Sequence, residues 1–183
     1  MPAPRMTTDE YLRLPEKLVP EELVYGFVRS AASPTPGHQW VLGKLFLALT
    51  SHVDERRLGR VWPAPLDVVL DREAHLIVQP DLLFVNTERM GIVTDRVWGA
   101  PDLVVEVLSP RPRIGTLDER IGWFAKYGVR ECWLVHQHAR EVEVLQFEAE
   151  SVASRGTFAA DMPIRSSVLP GFNGSLEEIL GTF

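Results

Sequence analysis

Pro101-Asp102-Leu103-Val104-Val105-Glu106-Val107-Leu108-Ser109-Pro110 is the stretch on which the reading of this chain turns. Between its prolines runs a short, mostly β-branched apolar segment, strand-sized and of the kind that a sheet buries on both faces. Glu106 stands in the middle of it. Burying an ionised carboxylate costs several kcal/mol unless a cation or a set of donors compensates. Glu106 therefore pairs with a buried arginine, faces solvent on an edge strand, or belongs to a site.

A second stretch repeats the theme. Gln79-Pro80-Asp81-Leu82-Leu83-Phe84-Val85 opens with a proline, as a strand start allows, and sets Asp81 against a buried strand. Taken alone, Asp81 also suits a turn former behind a proline. Two carboxylates that a sheet brings to one point offer the oxygen donors of a hard cation such as Mg²⁺, which takes a few carboxylates and several waters. Such a cation activates a water and stabilises charge on a phosphate. The spacing of the two acids is by itself a weak motif and names no substrate.

Around these strands the chain reads as alternating helical and strand patterns. Thr7-Thr8-Asp9-Glu10 is a capping-box start for a short helix with Tyr11, Leu12 and Leu14, ended by Pro15 and Pro20. Glu22 to Arg29 is strand-like with a bend at Gly26, and Ser33 to Gly37 is a loop. From His38 to about Leu58 the apolar residues recur at helical spacing, with Gly59 as the expected stop. Arg60–Trp62 and Leu66–Leu70 are β-rich, and a turn at Asp71 to Ala74 returns the chain through Leu76–Val78 as a hairpin. Asn86 to Gly99 reads as a turn region.

The second half continues in the same way. Thr116 to Tyr127 is helical, with Leu117, Arg120, Phe124 and Tyr127 on one face and Gly128 as its cap. Glu131–His136 and Arg140–Phe147 are strands, the latter half-exposed. One more strand between Ser151 and Ala160 and a short helix around Leu176–Leu180 close the chain. The pattern predicts one α/β domain over residues 1–183 with a mixed central sheet.

Composition sets the outer limits. The chain has 183 residues, 45% hydrophobic and 24% charged, with 19 Lys and Arg against 25 Asp and Glu for a net charge of −6. Collagen-like, coiled-coil and disulfide-scaffold classes do not fit, and the single Cys132 cannot close an intrachain disulfide. Net acidity excludes a protein that coats nucleic acid by bulk positive charge, but it leaves room for a local basic cleft. Arg111, Arg113, Arg120, Lys126 and Arg130 are the candidates for such a rim, an ordinary solvated helix and loop being the alternative. The N-terminal stretch from Met1 to Leu14 carries acids and lacks a signal-peptide core, and no segment has the apolar length of a membrane span, so a cytoplasmic protein is expected. The five tryptophans read as core or interface residues.

Taken together, Glu22-Leu23-Val24-x-Gly26, Pro34-x-x-x-His38, Pro80-Asp81, Pro101 to Pro110 and Gly128-Val129-Arg130-Glu131-x-Trp133-Leu134-Val135 resemble the Uma-two family of restriction-endonuclease-like proteins, in the PD-(D/E)XK nuclease superfamily. The resemblance runs from about Thr7 to Val144, and Leu169-Pro170-Gly171 is similar to the family's closing segment. It implies a restriction-endonuclease-like core: a mixed central β-sheet flanked by helices, with extra antiparallel strands. It also implies hydrolysis of DNA phosphodiester bonds with Mg²⁺ or Mn²⁺. Carried onto this chain, Asp81 and Glu106 are the motif acids, catalytic residues and metal ligands, and Glu22 is the acid that completes the metal set.

The chain departs from the pattern where a lysine follows the second acid by two positions, because Leu108 stands there. The resemblance puts Arg120 in the lysine's place. An arginine can hold a phosphate or stabilise developing charge, yet it does not deprotonate and so cannot be a general base. Where the family carries acids, this chain has Thr116, which keeps a helix-capping hydroxyl, and His136, which reads as a strand-end surface residue. His38 matches a family position at the start of the long helix and is a possible accessory residue, by capping or by orienting a phosphate. The alternative to an enzyme is a non-catalytic nucleic-acid-binding or protein-interaction module in which Arg120 only neutralises the acids. Cutting two strands implies a homodimer, for which Val142–Phe147 is the candidate apolar contact.

Overall fold

The computed structural model describes residues 5–15, 20–108 and 116–181. Helix α1 (Thr8–Leu12) is closed by the expected capping box: the Thr7 hydroxyl accepts the Glu10 N–H, and the Glu10 carboxylate accepts the Thr7 N–H. Strands β1 (Glu21–Val24) and β2 (Phe27–Ser30) form a hairpin through Tyr25 and Gly26, both at positive φ. The long helix α2 (Pro36–Arg56) starts at Thr35, whose hydroxyl accepts the His38 N–H. Its left-handed cap is Arg57 at φ 54°, not the glycine that the sequence suggests. Gly59 serves a different purpose. It opens β3 (Gly59–Pro63) at φ 154°, and a Cβ there would collide with the Val85 carbonyl.

Strands β4 (Val68–Asp71) and β5 (Leu76–Val78) make the predicted hairpin, and β6 (Leu82–Asn86) follows the Gln79-Pro80-Asp81 corner. The Asn86–Gly99 region holds a 3₁₀ turn and the short β7 (Val97–Trp98). After β8 (Leu103–Leu108), helix α3 (Leu117–Tyr127) runs from a Thr116–Glu119 capping box to Gly128 at φ 92°. Then come β9 (Glu131–His136), β10 (Glu141–Glu148), β11 (Ser151–Ala159) and the terminal α4 (Leu176–Leu180).

The strands form two mixed sheets, ordered β2-β1-β5-β4-β7 and β11-β10-β9-β8-β6-β3. The larger is the central sheet. Within it β8 and β9 are parallel, and α3 lies in the crossover that a parallel pair requires. Antiparallel strands extend the larger sheet at both ends, with β10 and β11 beyond β9 and β6 and β3 beyond β8, and the smaller sheet is antiparallel except for its β4–β7 pair. Alternation along β8 divides the interior: Leu103, Val105 and Val107 pack with α2 and with Leu169 and Phe172, whereas Val104 faces α3 and the smaller sheet. Glu106 shares the parity of Val104 and so points into the layer between the two sheets. Trp133, Phe84 and Phe124 are fully buried in these clusters, where truncation to alanine costs about 3–5 kcal/mol each.

One surface expectation is corrected. Val142–Phe147 is no exposed apolar contact, because β10 is hydrogen-bonded to β9 on one side and β11 on the other, and Val142, Val144 and Leu145 are buried. The exposed edge is β11. Of the tryptophans, Trp123 and Trp133 are core residues, while Trp40 is exposed on α2. Among the described residues no helix is long and apolar enough to cross a membrane.

Candidate active site

The antiparallel register of β6 and β8 pairs Leu82 with Val105, so one step further Asp81 lies opposite Glu106. Asp81 is fixed from two directions. Its Oδ2 accepts the Val107 N–H at 2.8 Å and the His38 Nε2–H at 3.1 Å. A carboxylate only accepts, so this contact assigns the ring proton to Nε2. His38 and Asp81 are each 1% exposed, and among the described residues nothing hydrogen-bonds the buried His38 Nδ1. The Thr35 cap sets the first turn of α2 and with it the position of this ring.

Glu106 is approached by Arg120, which reaches it from the second turn of α3. Both Nε (3.1 Å) and Nη2 (2.6 Å) donate to Glu106 Oε1. On its other side the guanidinium Nη1 donates to both oxygens of Glu22, at 2.9 and 2.8 Å, and Glu22 Oε1 also accepts the Gln79 N–H at 2.7 Å. One arginine on α3 thus ties an acid of the smaller sheet to an acid of the central one. Its guanidinium also stands 5.6 Å from the centre of the Phe124 ring. Among the described residues no donor reaches Glu106 Oε2.

The charges agree with this geometry. Burial pushes the Glu106 carboxyl up to about 7; Arg120 opposes the shift, while the carboxylates of Asp81 and Glu22 add to it. Burial also works against the Arg120 charge, but Glu106 and Glu22 outweigh it and hold the guanidinium above its ordinary value. The cluster has more acid than base even with Arg120 in place.

Glu22, Asp81, Glu106, Arg120 and His38, all singled out in the sequence, therefore lie in one buried cluster. The basic rim does not assemble among the described residues. Lys126 lies over the Tyr127 ring at 5.1 Å, Arg130 pairs with Asp102 at the far end of β8, and Arg111 and Arg113 lie outside the described residues. Thr116 caps α3, and His136 lies 3.4 Å from Glu143 at the end of β9. Sequence reasoning missed the backbone amides of Gln79 and Val107, for which side-chain identity carries no signal.

Among the described residues no three His, Cys, Asp or Glu side chains converge to hold a metal ion by themselves. Mg²⁺ does not require three, since it is commonly held by one or two carboxylates with water filling the remaining positions. Asp81 and Glu106, hard oxygen donors on adjacent strands in a net-negative cluster, fit such a cation. Glu22 could join them only by giving up its bonds to Arg120.

Comparison with known proteins follows the same lines. The family model Uma2, described as "Putative restriction endonuclease", matches residues 8–177. The fold is shared with the crystal structure of a protein from Anabaena variabilis ATCC 29413 described as a "putative nuclease belonging to DUF820". The TM-score is 0.79 and the identity 20%, over 96% of this chain and 97% of that one. No curated protein matches the sequence.

Proposed function

Because the chain belongs to the Uma2 family of restriction-endonuclease-like proteins, we propose that it is a nuclease that hydrolyses DNA phosphodiester bonds with Mg²⁺ or Mn²⁺. One observation carries the reading: Asp81, at the corner before β6, stands opposite Glu106 on β8, and both donors to Glu106 among the described residues fall on Oε1, so that Oε2 is left to the little solvent that reaches it. Asp81 and Glu106 would hold the divalent cation; Glu22, the third acid that the resemblance assigns to the metal set, has both oxygens on Arg120 and would stay in place. When bound, the cation supplies an activated water and neutralises charge developing on the phosphate.

The remaining residues position these groups. His38 and the Val107 amide fix Asp81 through Oδ2, and Arg120 fixes Glu106 through Oε1. A guanidinium is suited to hold a phosphate through two of its N–H groups. It accepts no proton, so Arg120 would bind and stabilise charge without activating the water. A homodimer would place two such sites on the two strands of a duplex.

The second reading is a non-catalytic nucleic-acid-binding or protein-interaction module, favoured by Arg120 already occupying Glu22 and Glu106 as their counter-ion. Cleavage separates the two. Single-stranded, duplex and branched DNA are incubated with the protein in Mg²⁺ or Mn²⁺ beside an Asp81→Ala control. The nuclease reading expects cation-dependent cleavage by the wild type alone. Absence of cleavage, or equal cleavage by the control, rejects it.

A further inference from the structure

Among the described residues Arg120 presents its donors to carboxylates alone: Nε and Nη2 to Glu106, Nη1 to both oxygens of Glu22. A guanidinium engaged in this way has no two-pronged edge left for a phosphate. Glu22 is itself held in place, because the Gln79 amide donates to it at 2.7 Å and the side chain is 2% exposed. The grip on Arg120 is therefore built into β1 and the corner before β6. It lies on the side of the guanidinium away from Glu106, the acid that Asp81 faces.

We infer that Glu22 is a positioning residue that parks Arg120 on the acids while the site lacks a divalent cation. Arg120 turns to the phosphodiester once a cation on Asp81 and Glu106 shares the negative charge that now holds it. DNA affinity is then gated by the cation through one side chain. Opposite charges at hydrogen-bond distance in a poorly hydrated cluster attract strongly, so the guanidinium leaves only when another positive charge competes. The inference rests on the nuclease reading and adds the order of events: cation first, phosphate clamp second.

The test measures fluorescence anisotropy of a labelled DNA duplex in EDTA and in Ca²⁺, a hard cation with oxygen-ligand preferences like those of Mg²⁺. Wild type should bind about tenfold more tightly in Ca²⁺, and Glu22→Gln should gain about fivefold in EDTA so that the ratio collapses. In an Arg120→Gln background the Glu22→Gln change should have no effect, because its action runs through Arg120. An equal gain there would mean simple removal of a negative charge and would overturn the inference. So would an unchanged EDTA affinity, or a loss confined to Ca²⁺, which would make Glu22 a cation ligand. Arg120→Lys, whose ammonium cannot span both acids, should show the same loss of cation dependence if Glu22→Gln does not fold, and wild-type dependence in it overturns the idea. If wild type cleaves DNA but Glu22→Gln keeps the wild-type ratio, the parking role fails alone. If wild type neither binds nor cleaves DNA in any cation, the nuclease reading fails with it.

Discussion

Two pairs of buried acids stand on or just before β6, β8 and β9 and are treated differently. Asp102, at the start of β8, and Glu131, which opens β9, are 0% exposed and have both oxygens engaged. Asp102 accepts from Arg89 and Arg130 on Oδ1 and from the Asn86 N–H on Oδ2. Glu131 accepts from Trp133 Nε1 and the Ser166 hydroxyl on Oε1, and from the Ser167 N–H and hydroxyl on Oε2. Glu106 takes both its donors on one oxygen and faces the like charges of Asp81 and Glu22, and its carboxyl is raised to about 7. A carboxylate satisfied on every side fastens the fold. One left partly undonated among other acids retains an electrostatic cost that a bound cation would relieve, as the proposed cation site requires.

The difference is open to mutation. Glu106→Gln and Asp81→Asn should each lower DNA cleavage about 10³-fold, roughly 4 kcal/mol of barrier, while leaving the fold intact; single-turnover assays and far-UV circular dichroism check both. If either variant unfolds instead, the site acids are structural bolts and the distinction breaks. Glu131→Ala should do the reverse. Removing it orphans the buried Trp133 N–H and the Ser167 amide and lowers unfolding stability by about 3 kcal/mol in urea, with cleavage per folded molecule unchanged.

A smaller effect concerns the charge on Glu106. Proton and cation compete for Glu106, whose carboxyl is pushed up to about 7 by burial, so cation affinity should rise with pH through that region. Between pH 6 and pH 8 the Mn²⁺ affinity measured by calorimetry should increase about tenfold, or about 1.4 kcal/mol. An affinity independent of pH over that range would show that Glu106 is not a ligand. Smallest is the helix that carries Arg120. Thr116→Ala removes the α3 cap and should cost about 1 kcal/mol in thermal unfolding, with a few-fold loss of cleavage as the first turn frays.

Much of this was legible in the chain because the acids interrupt patterns that otherwise favour burial. Asp81 and Glu106 stand out against Leu82–Val85 and Leu103–Leu108, and Arg120 falls on the apolar face of an amphipathic helix whose caps, Thr116 and Gly128, are also visible. Asp102 and Glu131 border equally apolar runs. Their structural role was not readable, since it depends on donors such as Arg89 and Ser166 that only folding brings near. The same reason hid the amides of Gln79 and Val107. Local rules misplaced one helix stop: Arg57 accepts the left-handed cap, and Gly59 is needed where β3 passes the backbone of β6. They also left Val142–Phe147 exposed, because the pairing of β11 over β10 is a long register that a half-polar strand does not announce.

Titration of Mn²⁺ into the DNA-free protein by isothermal calorimetry decides whether Asp81 and Glu106 form a divalent-cation site while Asp102 and Glu131 do not. Wild type and Glu131→Gln should bind Mn²⁺ alike, and Asp81→Asn and Glu106→Gln should lose at least about tenfold in affinity. Undiminished binding by Asp81→Asn and Glu106→Gln, or no binding by the folded wild type, would mean that these two acids hold no cation.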